Sequence, residues 1–120
     1  MSIYESGEDY LERILMLQNK GMEVKSIDIV HYMNLSKPSV SVAMKKLKED
    51  GYIVVKSNGV ILLTESGRAI ADKIYERHVF LTNLLVSIGV DEKTAAEDAC
   101  KLEHDMSDVT FEAIKNSLKK

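Results

Sequence analysis

Apolar residues recur roughly every three to four positions along the first part of the chain, and this period predicts helices. Between Tyr4 and Lys20 the apolar set is Tyr10, Leu11, Ile14, Leu15 and Leu17. Ser6 is placed to cap this helix, Asp9 follows three residues on as an acidic N3 residue, and Gly21 supplies the stop. A second, short helix is expected from Val24 to Met33, with Ser26 as its N-cap and Ile27, Ile29, Val30 and Met33 turned inward. After the turn Asn34-Leu35-Ser36, a third helix is expected from Pro38 to about Asp50. Pro38 suits a first turn, where a missing N–H costs nothing, and Val40, Ala43, Met44 and Leu47 form the apolar stripe. Gly51 ends it.

The pattern then changes. Tyr52-Ile53-Val54-Val55-Lys56 is aromatic and β-branched and reads as a strand. Ser57-Asn58-Gly59 carries the Asn-Gly hairpin signal, and Val60-Ile61-Leu62-Leu63 is the return strand. Helical period resumes after Thr64, a good N-cap. From Glu65 to about Ile88 the apolar positions are Ile70, Ala71, Ile74, Tyr75, Val79, Phe80, Leu81, Leu84, Leu85 and Ile88. This is wider than one stripe, so the helix must be covered on two sides, by further helices or a partner subunit. Asp91 is placed to cap a helix over 92–106. Ser107 or Asp108 caps a last one through Phe111, Ile114 and Leu118, ending in Lys119-Lys120.

Two short helices, a tight turn, a third helix and a hairpin make a winged helix-turn-helix. The fold expected is therefore mainly α: an N-terminal winged helix-turn-helix with a two-stranded wing over residues 1–64, then an all-helical dimerisation domain over residues 65–120. In such a module the third helix reads DNA. Ser39, Ser41 and Val42 would reach base edges, while the helix start at Ser36, Lys37 and Pro38 and the lysines Lys45 and Lys46 hold phosphates. Lys56 and Asn58, near the wing tip, would approach the backbone or the minor groove.

Charge changes this picture only locally. The 120 residues carry a net charge of −3, which by itself argues weakly against nucleic acid. Between Lys37 and Val60, however, Lys37, Lys45, Lys46, Lys48 and Lys56 face only Glu49 and Asp50. On charge alone, a solvated helix face explains the cluster equally well. The single cysteine excludes an intrachain disulfide framework and suits a reducing compartment. The start of the chain, with Glu5, Glu8 and Asp9, does not resemble a signal peptide, and no apolar run approaches about 20 residues, so no membrane span is expected.

The chemistry concentrates in Cys100-Lys101-Leu102-Glu103-His104. A thiol, a carboxylate and an imidazole at i, i+3 and i+4 share one helix face. All three bind divalent transition metals, and the mixed S/O/N set suits iron, manganese, cobalt, nickel or zinc better than calcium. Three ligands leave a tetrahedral or octahedral site unfilled, so others must come from elsewhere. Taken alone, Asp9 and Glu12 read as an acidic first turn on a helix dipole, and His78 as a structural histidine. No nucleophile elbow, glycine-rich phosphate loop or acid–base pair stands out, so an enzyme is not expected.

Together, several stretches resemble the diphtheria toxin repressor / manganese transport regulator family over nearly the whole chain. They are Glu8-Asp9-Tyr10-Leu11-Glu12-Arg13-Ile14, the winged helix with Ser36-Lys37-Pro38-Ser39-Val40-Ser41, Glu76-Arg77-His78, Ile88-Gly89-Val90-Asp91, and Ala99-Cys100 to Ser107. The resemblance implies a cytoplasmic homodimer that takes Fe(II) or Mn(II) as corepressor, with Co, Ni, Zn or Cd as surrogates. It then binds a palindromic duplex DNA operator of metal-uptake genes. By the same resemblance Asp9, Glu12, His78, Cys100, Glu103 and His104 are the metal ligands. Asp9 and Glu12 match manganese-type members and Cys100 matches iron-type ones, so the set is a hybrid. Thr82 and Ala96 stand where an accessory iron-type site needs ligands. His78 with Glu12 and Glu103 leaves open a second ion of the manganese fashion. The sequence ends at Lys120 without the proline-rich linker and SH3-like domain of iron-type members, which implies the short two-domain form. The competing expectation is a winged-helix regulator responding to a non-metal effector.

Overall fold

A computed structural model describes residues 5–118, with side chains from Gly7 onward. Tyr4, the side chain of Ser6 and Lys119-Lys120 lie outside the described residues. The chain order is α1 (Glu5–Asn19), α2 (Ser26–Met33), α3 (Lys37–Glu49), β1 (Ile53–Val55), β2 (Ile61–Leu63), α4 (Glu65–Ser87), α5 (Glu92–Asp105) and α6 (Asp108–Ser117). Two compact units divide it, residues 1–73 and 74–120, and the boundary falls inside α4. Among the described residues no helix is long and apolar enough to cross a membrane.

The first unit is a winged helix-turn-helix. Leu11, Ile14 and Leu15 of α1, Ile29 of α2, Val40 and Leu47 of α3, Ile53 of β1 and Ile61 of β2 are among its fully buried apolar side chains. The α1 helix closes on Gly21 at φ 87°, whose N–H donates to Gln18 O. The α3 stripe of Val40, Ala43, Met44 and Leu47 is buried as its spacing predicts. Ser36 caps that helix by accepting from the Ser39 N–H at 3.2 Å. Asn34, at φ 55°, makes the left-handed turn between α2 and α3.

Three local expectations are corrected. The second helix begins at Ser26, not Val24, and its N-cap is Lys25, whose N–H donates to Asp28 Oδ2 at 2.9 Å. Val24 stays outside because its carbonyl accepts from Ile61 N–H at 2.7 Å beside β2. Of the four positions expected inward on α2, only Ile29 is fully buried, and Ile27 is exposed, because an eight-residue helix covers little of its unit.

The wing pairs Ile53 with Leu63, Val54 with Leu62 and Val55 with Ile61. Its strands are shorter than expected because the turn takes in Lys56 to Val60. Gly59 N–H donates to Lys56 O at 2.8 Å, Lys56 N–H donates to Val60 O, and Gly59 lies at φ 88°. A turn followed by a left-handed glycine is the next commonest hairpin closure after the two-residue form.

Thr64 joins the wing to α4. Its Oγ1 accepts from Gly67 N–H and donates to Gly51 O, so one hydroxyl caps the helix and ties it to the end of α3. A Cβ on Gly67 would stand 2.0 Å from Tyr52 O, so only glycine fits there.

In the second unit Asp91 caps α5 by accepting from Thr94 N–H at 3.0 Å. That bond holds its carboxyl below the ordinary carboxylate value. Of the two caps expected for α6, Ser107 takes the role, accepting from Thr110 N–H. Phe111 is buried in edge-to-face contact with Phe80 at 5.4 Å, whereas Leu118 is half exposed. The long α4 leaves Val79 and Val86 exposed, as is Ile88 just beyond its end, and α5 and α6 expose Leu102 and Val109.

Candidate functional site

The first unit contributes a carboxylate pair. Asp9 and Glu12 stand one turn apart on α1, and an oxygen of each lies within 4.8 Å of the other. Glu12 is fully buried, with Arg13 Nη1 donating to its Oε1 at 3.0 Å. A buried carboxylate is costly unless cations or donors reach it. Its burial sets Glu12 apart from an exposed acidic first turn on a helix dipole. Burial, and then the adjacent Asp9 charge, raise the Tyr10 phenol above its ordinary value.

The second unit contributes a carboxylate set between two imidazoles. Glu103, on α5, is fully buried. Its Oε2 lies 3.1 Å from His78 Nδ1 on α4, and its Oε1 lies 3.5 Å from His104 Nε2. The His104 ring is only 2% exposed. Cys100, one turn before Glu103, is half-buried. Of the three residues at i, i+3 and i+4, Glu103 and His104 are brought side chain to side chain, and α4 adds the His78 imidazole. The carboxylate and imidazole donors gathered at Glu103 suit a divalent transition ion. Thr82 is half-buried on α4, and its buried Oγ1 has no hydrogen-bond partner among the described residues.

Sequence reasoning missed Arg77. It is 5% exposed, and its Nη1 donates to Glu103 O at 3.0 Å and to Met106 O. Its Nη2 donates to Asp108 Oδ1. A signal was available: Arg77 falls three residues after Ile74 and four before Leu81, both buried, so a charge interrupts the inward stripe of α4.

The residues expected to meet DNA lie on one helix and the wing. Lys37, Pro38, Ser39, Ser41, Val42, Lys45 and Lys46 are all exposed on α3, and Val42 is 69% exposed. Ser36 is engaged with its own helix, and its Oγ donates to Ser39 Oγ at 2.8 Å. Lys56 and Asn58 are exposed at the wing turn, and Asn58 Oδ1 accepts from Val60 N–H. The third helix therefore presents a polar, basic face around one large exposed valine.

Comparison with known proteins agrees with both halves. Residues 2–60 match the model of the iron dependent repressor N-terminal DNA binding domain. Residues 64–120 match the iron dependent repressor metal binding and dimerisation domain. An uncharacterized HTH-type transcriptional regulator of Methanocaldococcus jannaschii is 39% identical over 118 residues, covering 97% of this chain and 94% of the relative. The HTH-type transcriptional regulator MntR of Lysinibacillus sphaericus is 35% identical over 103 residues, covering 85% of this chain and 73% of the relative. A solved manganese-dependent transcriptional repressor in complex with manganese superposes with a TM-score of 0.86 at 29% identity, covering 94% of this chain and 52% of that one. The chain thus spans about half the length of that solved structure.

Proposed function

The chain belongs to the diphtheria toxin repressor / manganese transport regulator family of metal-dependent transcriptional repressors, which are regulators and not enzymes, and from that premise we propose how it works. Residues 1–64 are its DNA-binding domain, and residues 65–120 are its dimerisation and metal-binding domain. Asp9 and Glu12 of α1 and Cys100, Glu103 and His104 of α5 hold one divalent cation, Fe(II) or Mn(II). His78 orients Glu103 or joins a second ion. The observation that carries this reading is the buried Glu103 carboxylate, 3.1 Å from His78 and 3.5 Å from His104.

The cation supplies charge to a site that otherwise gathers carboxylates and a thiol. Those groups repel one another when no cation offsets them. Asp9 and Glu12 belong to the helix that begins the reading head, and the other ligands belong to the helices that pair with a second copy. Shared ligation would restrict the spacing and angle of two recognition helices, which must enter grooves about 34 Å, or a multiple of it, apart. A bound cation would raise DNA affinity by favouring the competent arrangement. On α3, Ser39, Ser41 and Val42 read bases. Lys37, Lys45 and Lys46, with the helix start at Ser36 and Pro38, position phosphates, and Lys56 and Asn58 bring the wing to the backbone.

The hybrid donor set bears on the choice of ion. The Cys100 thiolate favours Fe(II), Co(II) or Zn(II), and Asp9 favours Mn(II). The test is an anaerobic titration of Fe(II), Mn(II) and Zn(II), read by binding to operators selected from a random duplex pool. Operator binding that climbs with one of these ions, and is lost in Glu103→Ala and His104→Ala chains that remain dimeric, is the expected result. Operator binding indifferent to all three ions would remove the mechanism and favour a non-metal effector.

A further inference from the structure

Three consecutive residues of α4 hold three different parts of the second unit. Glu76 Oε2 accepts from Lys115 Nζ of α6 at 2.7 Å. His78 meets the Glu103 carboxylate. Between them Arg77 reaches the end of α5. The last turn of a helix leaves carbonyls without partners, and a left-handed glycine commonly closes it. Here α5 ends at Met106 with φ −93° and ψ 133°, so that closure is missing. Arg77 replaces it from another helix, donating to Glu103 O and Met106 O, with Asp108 at the start of α6 neutralising its charge. The guanidinium also lies 5.1 Å from the centre of the Phe111 ring. A buried cation at a helix C-terminus is well placed against the partial negative charge there.

Glu103 is therefore held at both ends by neighbours in sequence, its main chain by Arg77 and its side chain by His78. The geometry points to Arg77 as the positioning residue of the metal centre: it fixes the α5 terminus so that Glu103 and His104 are already aimed before an ion arrives. This rests on the metal reading above and adds a residue that touches no ion. Its chemistry is orientation of ligands by an outer partner, whose loss typically weakens metal binding about 10- to 100-fold. Lysine cannot stand in, because one ammonium on a flexible stem lacks the planar fork that spans two carbonyls and a carboxylate.

The experiment measures Mn(II) and Zn(II) affinity by anaerobic calorimetry for the full chain and for Arg77→Met, Arg77→Lys and Asp108→Asn. Amide hydrogen exchange over Leu102–Ser107 is followed in the metal-free proteins. Both Arg77 variants are expected to bind Mn(II) at least tenfold more weakly and to exchange faster at the α5 end. Asp108→Asn, which leaves both carbonyl bonds in place, is expected to change affinity only a few-fold. Should Arg77→Met fail to fold, Arg77→Lys decides. A folded Arg77 variant with wild-type metal affinity overturns the proposal, and faster exchange in that variant would show a purely structural cap. A wild-type chain that binds neither ion overturns the metal reading itself, whatever the exchange shows.

Discussion

His78 Nδ1 and Glu103 Oε2 lie 3.1 Å apart, joining α4 to α5 across 25 residues of sequence. The other oxygen of the same carboxylate faces the His104 ring. One fully buried carboxylate thus organises two imidazoles, and most of the site's chemistry depends on keeping it there.

Replacing that carboxylate by an amide separates ligation from folding. Glu103→Gln retains the shape and one hydrogen-bonding oxygen but removes the charge. Mn(II) affinity should fall at least tenfold, since an amide is a far poorer ligand for a divalent ion. The metal-free protein should melt no lower than wild type, because a buried charge is removed. Thermal melts with and without Mn(II) check both statements: a Mn(II)-induced upshift equal to wild type would contradict the first, and a lower metal-free melting temperature the second.

Gly67→Ala tests the junction between wing and α4. The added methyl would stand 2.0 Å from the Tyr52 carbonyl oxygen, and that backbone cannot yield without opening the Thr64 N–H to Tyr52 O bond. Stability should fall by at least about 2 kcal/mol, against the small gain normally expected of alanine in a helix. Urea unfolding measures it.

Lys45→Ala tests the basic face of α3. If Lys45 neutralises one phosphate per protomer, the slope of log affinity against log salt should drop by about 1 for each lysine removed, with little change in which sequence is preferred. A salt titration on the selected operator reads the slope, and an unchanged slope would place Lys45 away from the DNA.

The Asp91 cap gives a pH dependence with a definite sign. Its carboxyl titrates below the ordinary value in the folded chain because Thr94 N–H and hydroxyl donate to it. A depressed folded value means the cap stabilises the fold above the unfolded carboxylate value and loses that contribution as pH falls through the folded one. Asp91→Asn should therefore flatten the acid side of the stability curve, below about pH 4. Melting temperature across that range checks it, and parallel curves would assign the acid loss to other groups.

Much of this was legible in the sequence because it is local. Caps at Thr64 and Asp91, the stripe of α3 and the wing signal at Asn58-Gly59 depend on residues within a few positions of one another. The spacing of Cys100, Glu103 and His104 is likewise set by the helix period alone. The start of α2 was misplaced because a tertiary bond, Ile61 N–H to Val24 O, holds Val24 outside the helix, and its burial was overestimated because so short a helix covers little of its unit.

By itself the sequence determined a winged helix-turn-helix, a run of capped helices and a thiol, a carboxylate and an imidazole spaced for one helix face, since period and capping act within a single element. Only the tertiary structure decided that Glu103 is buried between two imidazoles, that Arg77 closes α5 from another helix, and that Gly67 must lack a side chain. Each of these is a contact between segments distant in the chain. Such contacts depend on how helices and strands pack, and the spacing of residues along one element carries no record of that packing.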